Sequence, residues 1–144
     1  MASLEQFSIR MAAIGERVTK NADTLVRKTA IVADQAVVIA TPVDTGRARS
    51  GWIAKVGSGS TKKQDAYSEG SRGSTGAANA AAALAQAEAV IATYRGGSSI
   101  HITNNVNYIG KLNTGTSFQA PANFVETAVG QAVAAVKRAE ILRR

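Results

Sequence analysis

The chain has no cysteine, a single histidine and two prolines in 144 residues. The absence of cysteine excludes disulfides, thiolate zinc sites and cysteine nucleophiles, and one histidine excludes a multi-histidine metal site. No metal or cofactor is therefore expected. No apolar run approaches the ~20 residues that span a bilayer. Met1 to Ile14 carries polar residues throughout, where a signal peptide needs an apolar block. The expectation is a soluble chain of cytoplasmic origin, with no membrane partner.

Aromatic side chains are also scarce, with one tryptophan, three tyrosines and three phenylalanines. Apolar residues make up 45%, but 28 of them are alanine, and Leu, Ile, Val and Phe together number only 31. This lies just above the roughly 20% below which a charged chain tends to disorder. A single domain with a thin, helical core and at least one loose segment is expected, with subunit contacts supplying further burial. Seventeen basic residues against ten acidic ones give a net charge of +7. It is spread as +3 over residues 1–60, +1 over 61–100 and +3 over 101–144. Charge of this sign suits an acidic partner such as nucleic acid, but speaks to association rather than to fold.

From Leu4 onward, Phe7, Met11, Ile14, Val18, Leu25, Val32, Ala36 and Ile39 recur at threes, fours and their sums. This spacing predicts one long amphipathic helix over residues 4–40, roughly 55 Å at 1.5 Å per residue. Arg10, Arg17, Lys20, Arg27 and Lys28 form a second stripe, and Glu5, Glu16, Asp23 and Asp34 a third. The charged stripes read either as a solvated face or as a surface that docks on a neighbouring subunit. Pro42 ends the helix, and Asp44, Thr45 and Gly46 supply turn chemistry.

Ser50–Val56 alternates Trp52, Ala54 and Val56 with Gly51, Ile53 and Lys55, as a short strand does. Gly57–Gly76 holds five glycines and five serines and has almost nothing to bury, so it reads as a flexible loop. Alanine propensity predicts a helix over Ala77–Tyr94, stopped by Gly96 and Gly97. Ser99–Asn104 alternates Ile100 and Ile102 with His101 and Thr103, giving a second strand. Val106–Leu112 reads as an apolar turn or short helix ended by Asn113 and Gly115. After Pro121, Asn123 and Glu126 form a capping-box pattern at the start of a last helix. Phe124, Ala128, Ala132, Val136 and Ala139 are its buried stripe, and Arg143 and Arg144 suit its C-terminus. The resulting fold class is α+β. Long N-terminal and C-terminal helices pack on a small, mostly antiparallel sheet, and a Gly/Ser-rich loop with an Ala-rich helix (57–97) is inserted between the strands of a single 1–144 domain.

Catalytic patterns are sparse. Asp44-Thr45-Gly46 is the triplet of aspartic proteases, whose dimers set two such aspartates to share a proton. Those enzymes place the triplet at the end of a strand in a nearly all-β fold, whereas here it follows a helix and a Thr-Pro step. An aspartate turn accounts for the same residues without catalysis. The glycines at 57, 59, 70, 73 and 76 match neither a dinucleotide fingerprint nor a Walker loop. His101 reads as a surface or interface histidine, and the carboxylates are scattered rather than paired. The densest basic stretch, Arg47, Arg49, Lys55, Lys62, Lys63 and Arg72, could track phosphates, but only Trp52 and Tyr67 are interleaved with it. The sequence therefore leaves open a binder of nucleic acid without sequence preference and, more remotely, a small homodimeric aspartic protease.

Two blocks point elsewhere. The run Thr41-Pro42-Val43-Asp44-Thr45-Gly46-Arg47-Ala48-Arg49-Ser50-Gly51-Trp52 follows an N-terminal amphipathic helix. A second block has Asn105 and Tyr108 in Asn-Val-Asn-Tyr-Ile, then Gly115-Thr116, then Ala120-Pro121 before Asn123-Phe124-Val125. In order and spacing these resemble the neck and tail-completion proteins of long-tailed bacteriophages, over most of the chain apart from roughly residues 57–97. The sequence departs from that family's pattern at Asn113, where members commonly carry a glutamate, and in the 57–97 insertion.

The resemblance implies a non-catalytic α+β subunit of the virion neck, assembled in the host cytoplasm into a homo-oligomeric ring, a hexamer or dodecamer. The ring would join a head-closure or connector protein to a tail terminator or tail-tube protein, and the double-stranded genome would pass through its lumen without sequence-specific recognition. Thr41, Pro42, Val43, Asp44, Thr45 and Gly46 would then be a structural turn, and Arg47, Arg49, Lys62, Lys63 and Arg72 the candidate interface or lumen contacts.

Overall fold

The computed structural model describes residues 3–141. Helix α1 spans Leu4–Ala40. Ser3 starts it with a capping box: its Oγ accepts the Gln6 N–H at 3.2 Å, and Gln6 Oε1 accepts the Ser3 N–H at 3.1 Å. It ends at Thr41, which is extended (φ −70°, ψ 127°), as a residue preceding proline prefers. A one-turn helix α2 (Arg47–Ser50) leads into strand β1 (Trp52–Val56). Helix α3 (Gly76–Ile91) and strand β2 (Ile100–Asn104) follow. A short α4 (Ile109–Lys111) runs into a π-helical turn over Leu112–Thr116, and α5 (Phe124–Ile141) closes the chain. The expected Arg143 and Arg144 at its end lie outside the described residues. The architecture is the α+β arrangement expected, with long first and last helices and an antiparallel pair of strands. Trp52 pairs with Asn104 and Val56 with Ile100.

Several boundaries move, for local reasons. Ser50 belongs to α2 rather than to the strand, because Gly46 (φ 85°) opens a helical turn there. The alanine helix ends at Ile91, short of Tyr94, whose buried ring sits in the turn that follows. The predicted Asn123–Glu126 capping box is replaced. Asn123 is left-handed (φ 59°), whereas a capping residue is extended. Asn113 caps α5 from a distance: its backbone carbonyl accepts the Asn123 N–H at 2.7 Å and its Oδ1 the Val125 N–H at 3.0 Å. Its Nδ2 donates to both oxygens of Glu126 at 3.1 and 2.9 Å.

The core is as thin as the composition implied. One cluster joins Val37, Val38, Trp52, Ala83 and Ala128, and a second joins Ala54, Ala87 and Ile91. Alanines on α3 let it lie close to both β1 and α1. Phe124, Ala128, Ala132 and Val136 are buried on α5 as expected, and Ala139 is half-buried. Helix α1 differs from the simplest reading of its pattern. Its buried residues are Asp34, Val37 and Val38, while Leu4, Phe7, Met11, Ile14, Val18, Leu25 and Ile39 of the apolar stripe are exposed. The physical reason is length. Helices α3 and α5, of 16 and 18 residues, cover one side of the C-terminal half of a 37-residue helix, and no residue from 3 to 22 is even half-buried.

Asp34 is the one buried carboxyl side chain among the described residues. It is 1% exposed, and neither carboxylate oxygen has a hydrogen-bond partner among the described residues. Burial, with the Glu88 carboxylate adding to it, pushes its carboxyl from 3.8 up to about 7. The folded state thus holds this proton more tightly than the unfolded chain does. The associated stability is complete below about pH 4 and lost as pH rises to about 7. Urea unfolding should show stability falling between about pH 4 and about pH 7, by on the order of a few kcal/mol from this group. Asp34→Asn should flatten that slope, and an unchanged slope in the variant would refute the assignment.

Candidate functional site

The two sequence blocks meet in the fold. The turn after α1 is fastened by side chains on both sides of Pro42. Thr41 Oγ1 donates to the Val37 carbonyl at 2.6 Å and accepts the indole N–H of Trp52 at 2.8 Å, with both residues buried. Arg49 was grouped in the sequence with the outward-reaching cations, but it points inward. Its guanidinium donates to the carbonyls of Ile39 (3.1 Å), Thr41 (2.9 Å) and Gly76 (3.3 Å). It therefore braces the last turn of α1 against the first of α3.

Asn79 on α3 joins the remaining pieces. It is completely buried, and its Oδ1 accepts Ser50 Oγ–H at 2.8 Å and the Ser68 N–H at 2.9 Å. Its Nδ2 lies within donating distance of the carbonyls of Ser68 and Thr75, both at 2.9 Å, and of Thr75 Oγ1 at 3.0 Å. One amide thus connects the motif helix α2, the 57–75 loop and the start of α3. Gly46 passes so close that a Cβ built there would lie 2.0 Å from Asn79 Nδ2. With its left-handed φ, this makes glycine necessary at position 46 on two counts.

The loop itself forms neither helix nor strand but is tied at several points. Asp44 Oδ1 accepts the Arg72 N–H at 2.9 Å, and the Asp44 carbonyl accepts the Gly73 N–H at 2.9 Å. Asn105 of the second block donates to the carbonyls of Ser60 (2.7 Å) and Lys62 (3.0 Å). Arg47, Lys62, Lys63 and Arg72 are exposed. Arg47 lies 3.4 Å from Asp65, and Lys63 Nζ donates to Asn107 Oδ1 at 2.7 Å.

Across the turn from this knot, an open cavity of about 390 Å³ lies between residues 42–48 and Tyr108, Leu112, Ser117 and Gln119. Gln119 holds its two walls together. Its Oε1 accepts the Val43 N–H at 2.9 Å and its Nε2 donates to the Val43 carbonyl at 3.0 Å, as a neighbouring strand would. Gly115 (φ 97°) reverses the chain against Ala122, Thr116 Oγ1 donates to the Lys111 carbonyl at 2.8 Å, and Pro121 is exposed ahead of α5. Phe118, between two cavity residues, is fully exposed.

The arrangement is one of backbone-directed amides and hydroxyls. Asp44 is exposed and bonded to a backbone amide, and His101 pairs with Ser99 Oγ at 2.9 Å. Among the described residues no group of three His, Asp or Glu side chains could hold a metal ion, and no helix is long and apolar enough to cross a membrane.

Sequence reasoning found the turn and the second block but missed Asn79, Gln119 and Asn113 as their fasteners. Asn79 had a legible signal: it is the one polar residue on the four-residue stripe Asn79, Ala83, Ala87, Ile91 that α3 buries. No family model matches the chain, and no curated protein or solved structure is detectably similar to it.

Asn79→Ala should cost about 3 kcal/mol in chemical denaturation, because it strands several buried donors and acceptors. Gly46→Ala should also destabilise. Since its clash is with the Asn79 side chain, the double variant should lose less than the sum of the two, and strict additivity would contradict the contact. At the second block, hydrogen bonding from Asn113 holds the Glu126 carboxyl below its ordinary value. That stabilisation is present at neutral pH and lost as acid protonates the group. Asn113→Ala should raise the Glu126 titration midpoint measured by NMR, and an unmoved midpoint would remove Asn113 as the cause.

Proposed function

We propose that this chain is a structural, non-enzymatic subunit of a tailed-bacteriophage neck, forming a homo-oligomeric ring of six or twelve copies. In this reading the ring joins a head-closure or connector protein to a tail terminator or tail-tube protein, and double-stranded DNA passes through its lumen. The observation that carries the proposal is the meeting of the Thr41–Trp52 turn and the Asn105–Pro121 block around one cavity, fastened by Gln119. The two blocks that resemble the neck family in sequence are thus a single structural unit. The exposed apolar stripe of α1 supports an assembly role, since stripes of this extent mark interaction surfaces.

The roles of Asp44 favour this reading over an aspartic protease, because its carboxylate anchors the Arg72 amide in an exposed turn. A nucleic-acid binder without sequence preference has one feature in its favour, a groove lined by Lys20, Arg27, Lys28 and Arg95. Of these, Lys28 pairs with Glu140 at 3.2 Å and Lys20 lies 3.5 Å from Glu16, while Arg27 and Arg95 both donate to the Tyr94 carbonyl, so all four cations have partners within the chain.

Electron microscopy of the virion should place the protein in a ring at the neck, and its absence from particles would end the proposal. Gly46→Val should abolish particle completion, because a β-branched residue does not tolerate a left-handed backbone and no room exists for it beside Asn79. Normal particle yield from that variant would count against the turn's role. Duplex binding that falls steeply with salt, without incorporation into particles, would favour the nucleic-acid reading instead.

A further inference from the structure

The overhang of α1 presents an apolar seam that no described residue covers. Leu4, Phe7, Met11, Ile14 and Val18 are 49–87% exposed, and Leu25 continues the line. Their spacing is three, four, three, four and then seven residues. Leu4, Met11, Val18, Leu25, Val32 and Ile39 repeat every seventh position along the whole helix, and Phe7 and Ile14 fill the intervening place. At ~100° per residue the first five fall within a sector of roughly 80°, on the side roughly opposite Asp34, Val37 and Val38. A stripe this narrow and this regular is the seam of a helix pair rather than the broader face that a helix lays on a globular core or a bilayer.

We infer that this seam is covered by α1 of a second copy of the chain, packed parallel and in register over residues 4–25. Three observations select that occupant. A seam of this length needs a partner helix of similar length, and among the described residues only α1 offers one. The flanks are asymmetric. Arg10 and Arg17 line one edge of the seam, and Ser8, Gly15 and Ala22 the other. Parallel pairing sets each arginine edge against the partner's small edge, where no like charges meet and the small side chains leave room for the arginine stems. Antiparallel pairing would set the two arginine edges together. The third is Asn21, the next seam position after Val18. It would meet its own counterpart only in a parallel, in-register pair, where the two amides can hydrogen-bond to each other. This inference goes beyond the ring reading: a two-fold pair uses the same surface on both copies, whereas a ring closes through two different surfaces, so the seam shares with that reading only the presence of more than one copy.

The absence of cysteine makes the test direct. Phe7→Cys and Ile14→Cys, each introduced singly, should form disulfide-linked dimers under mild oxidation. Ile9→Cys, on the far side of the helix, should not. Positions 7 and 14 are ~10 Å apart along the axis. An antiparallel pair has one crossing point, so it could bring at most one of them onto itself. Met11→Glu with Val18→Glu should abolish both crosslinks and weaken self-association, read by sedimentation, by about tenfold or more. Fluorescence of buried Trp52 checks that the body stays folded, since both substituted side chains are exposed.

Crosslinks at neither position, or at one only, overturn the inference. So does binding to phosphatidylglycerol vesicles in place of self-association, which would assign the stripe to a bilayer surface. Self-association that is unchanged in the double glutamate variant, with the ring still present in particles, removes the seam and leaves the ring reading standing. Crosslinks at both positions in a protein absent from virions keep the seam and remove the neck reading.

Discussion

The buried amide of Asn79 is the constraint on which the rest of the structure depends. A neutral side chain with two donors and two lone-pair sites lies at zero exposure, where each unmet group would cost as much as a lost hydrogen bond. Its partners come from three segments that share no strand ladder: Ser50 in α2, Ser68 in the loop and Thr75 at the start of α3. Two strands of five residues make a sheet too small to organise these pieces by pairing alone. The fold supplies the missing ladder with side-chain amides. Gln86 exchanges both hydrogen bonds with Ala54, as a third strand would, and Gln119 does the same for Val43.

Polar fastening of this kind follows from the composition. A core of valines and alanines with one isoleucine and one tryptophan holds its elements close but gives them little direction, because small apolar side chains fill space without specifying a partner. Directional bonds then decide register and angle. Trp52 shows the two contributions in one residue: its ring fills the larger cluster and its N–H finds Thr41, whose hydroxyl is already fixed on the last turn of α1. The indole thereby sets where α1 must end relative to β1.

What the sequence made legible was whatever depends on local chemistry or on period. The end of α1 follows from Pro42, its start and the α5 burial stripe from helical spacing, and the strands from alternation. What stayed hidden depends on residues far apart in the chain. Asn113 caps a helix that begins eleven residues later, in place of a local Asn123–Glu126 box that looked sufficient. Arg49 has the same composition signature as Lys62 and Arg72, and only the return of α3 to its side converts it from a surface cation into a brace. The apolar stripe of α1 was visible as a period. Its direction was not, because a helix pattern records which residues share a face and not what that face meets. Asp34 made the difference decisive: a carboxylate belonging to the acidic stripe is buried, while leucine and phenylalanine of the apolar stripe are not.

That inversion divides α1 into a clamped half and a free half. The C-terminal half of α1 is clamped by Thr41, Arg49, Trp52 and the Lys28–Glu140 pair, whereas the first 19 or so residues stand free of the body. An isolated helix of that length is marginal in water, since the cost of ordering it is not offset by packing. Its first turn is nevertheless secured by a capping box, and its apolar side chains keep a strict repeat where no partner among the described residues enforces one. A free helix that only needed to stay soluble would gain from polar residues along that line. The repeat therefore reads as a demand from outside the monomer. Because α1 is continuous from the free seam to the clamped turn, whatever orders the seam also orients the Pro42 turn and the cavity beside it.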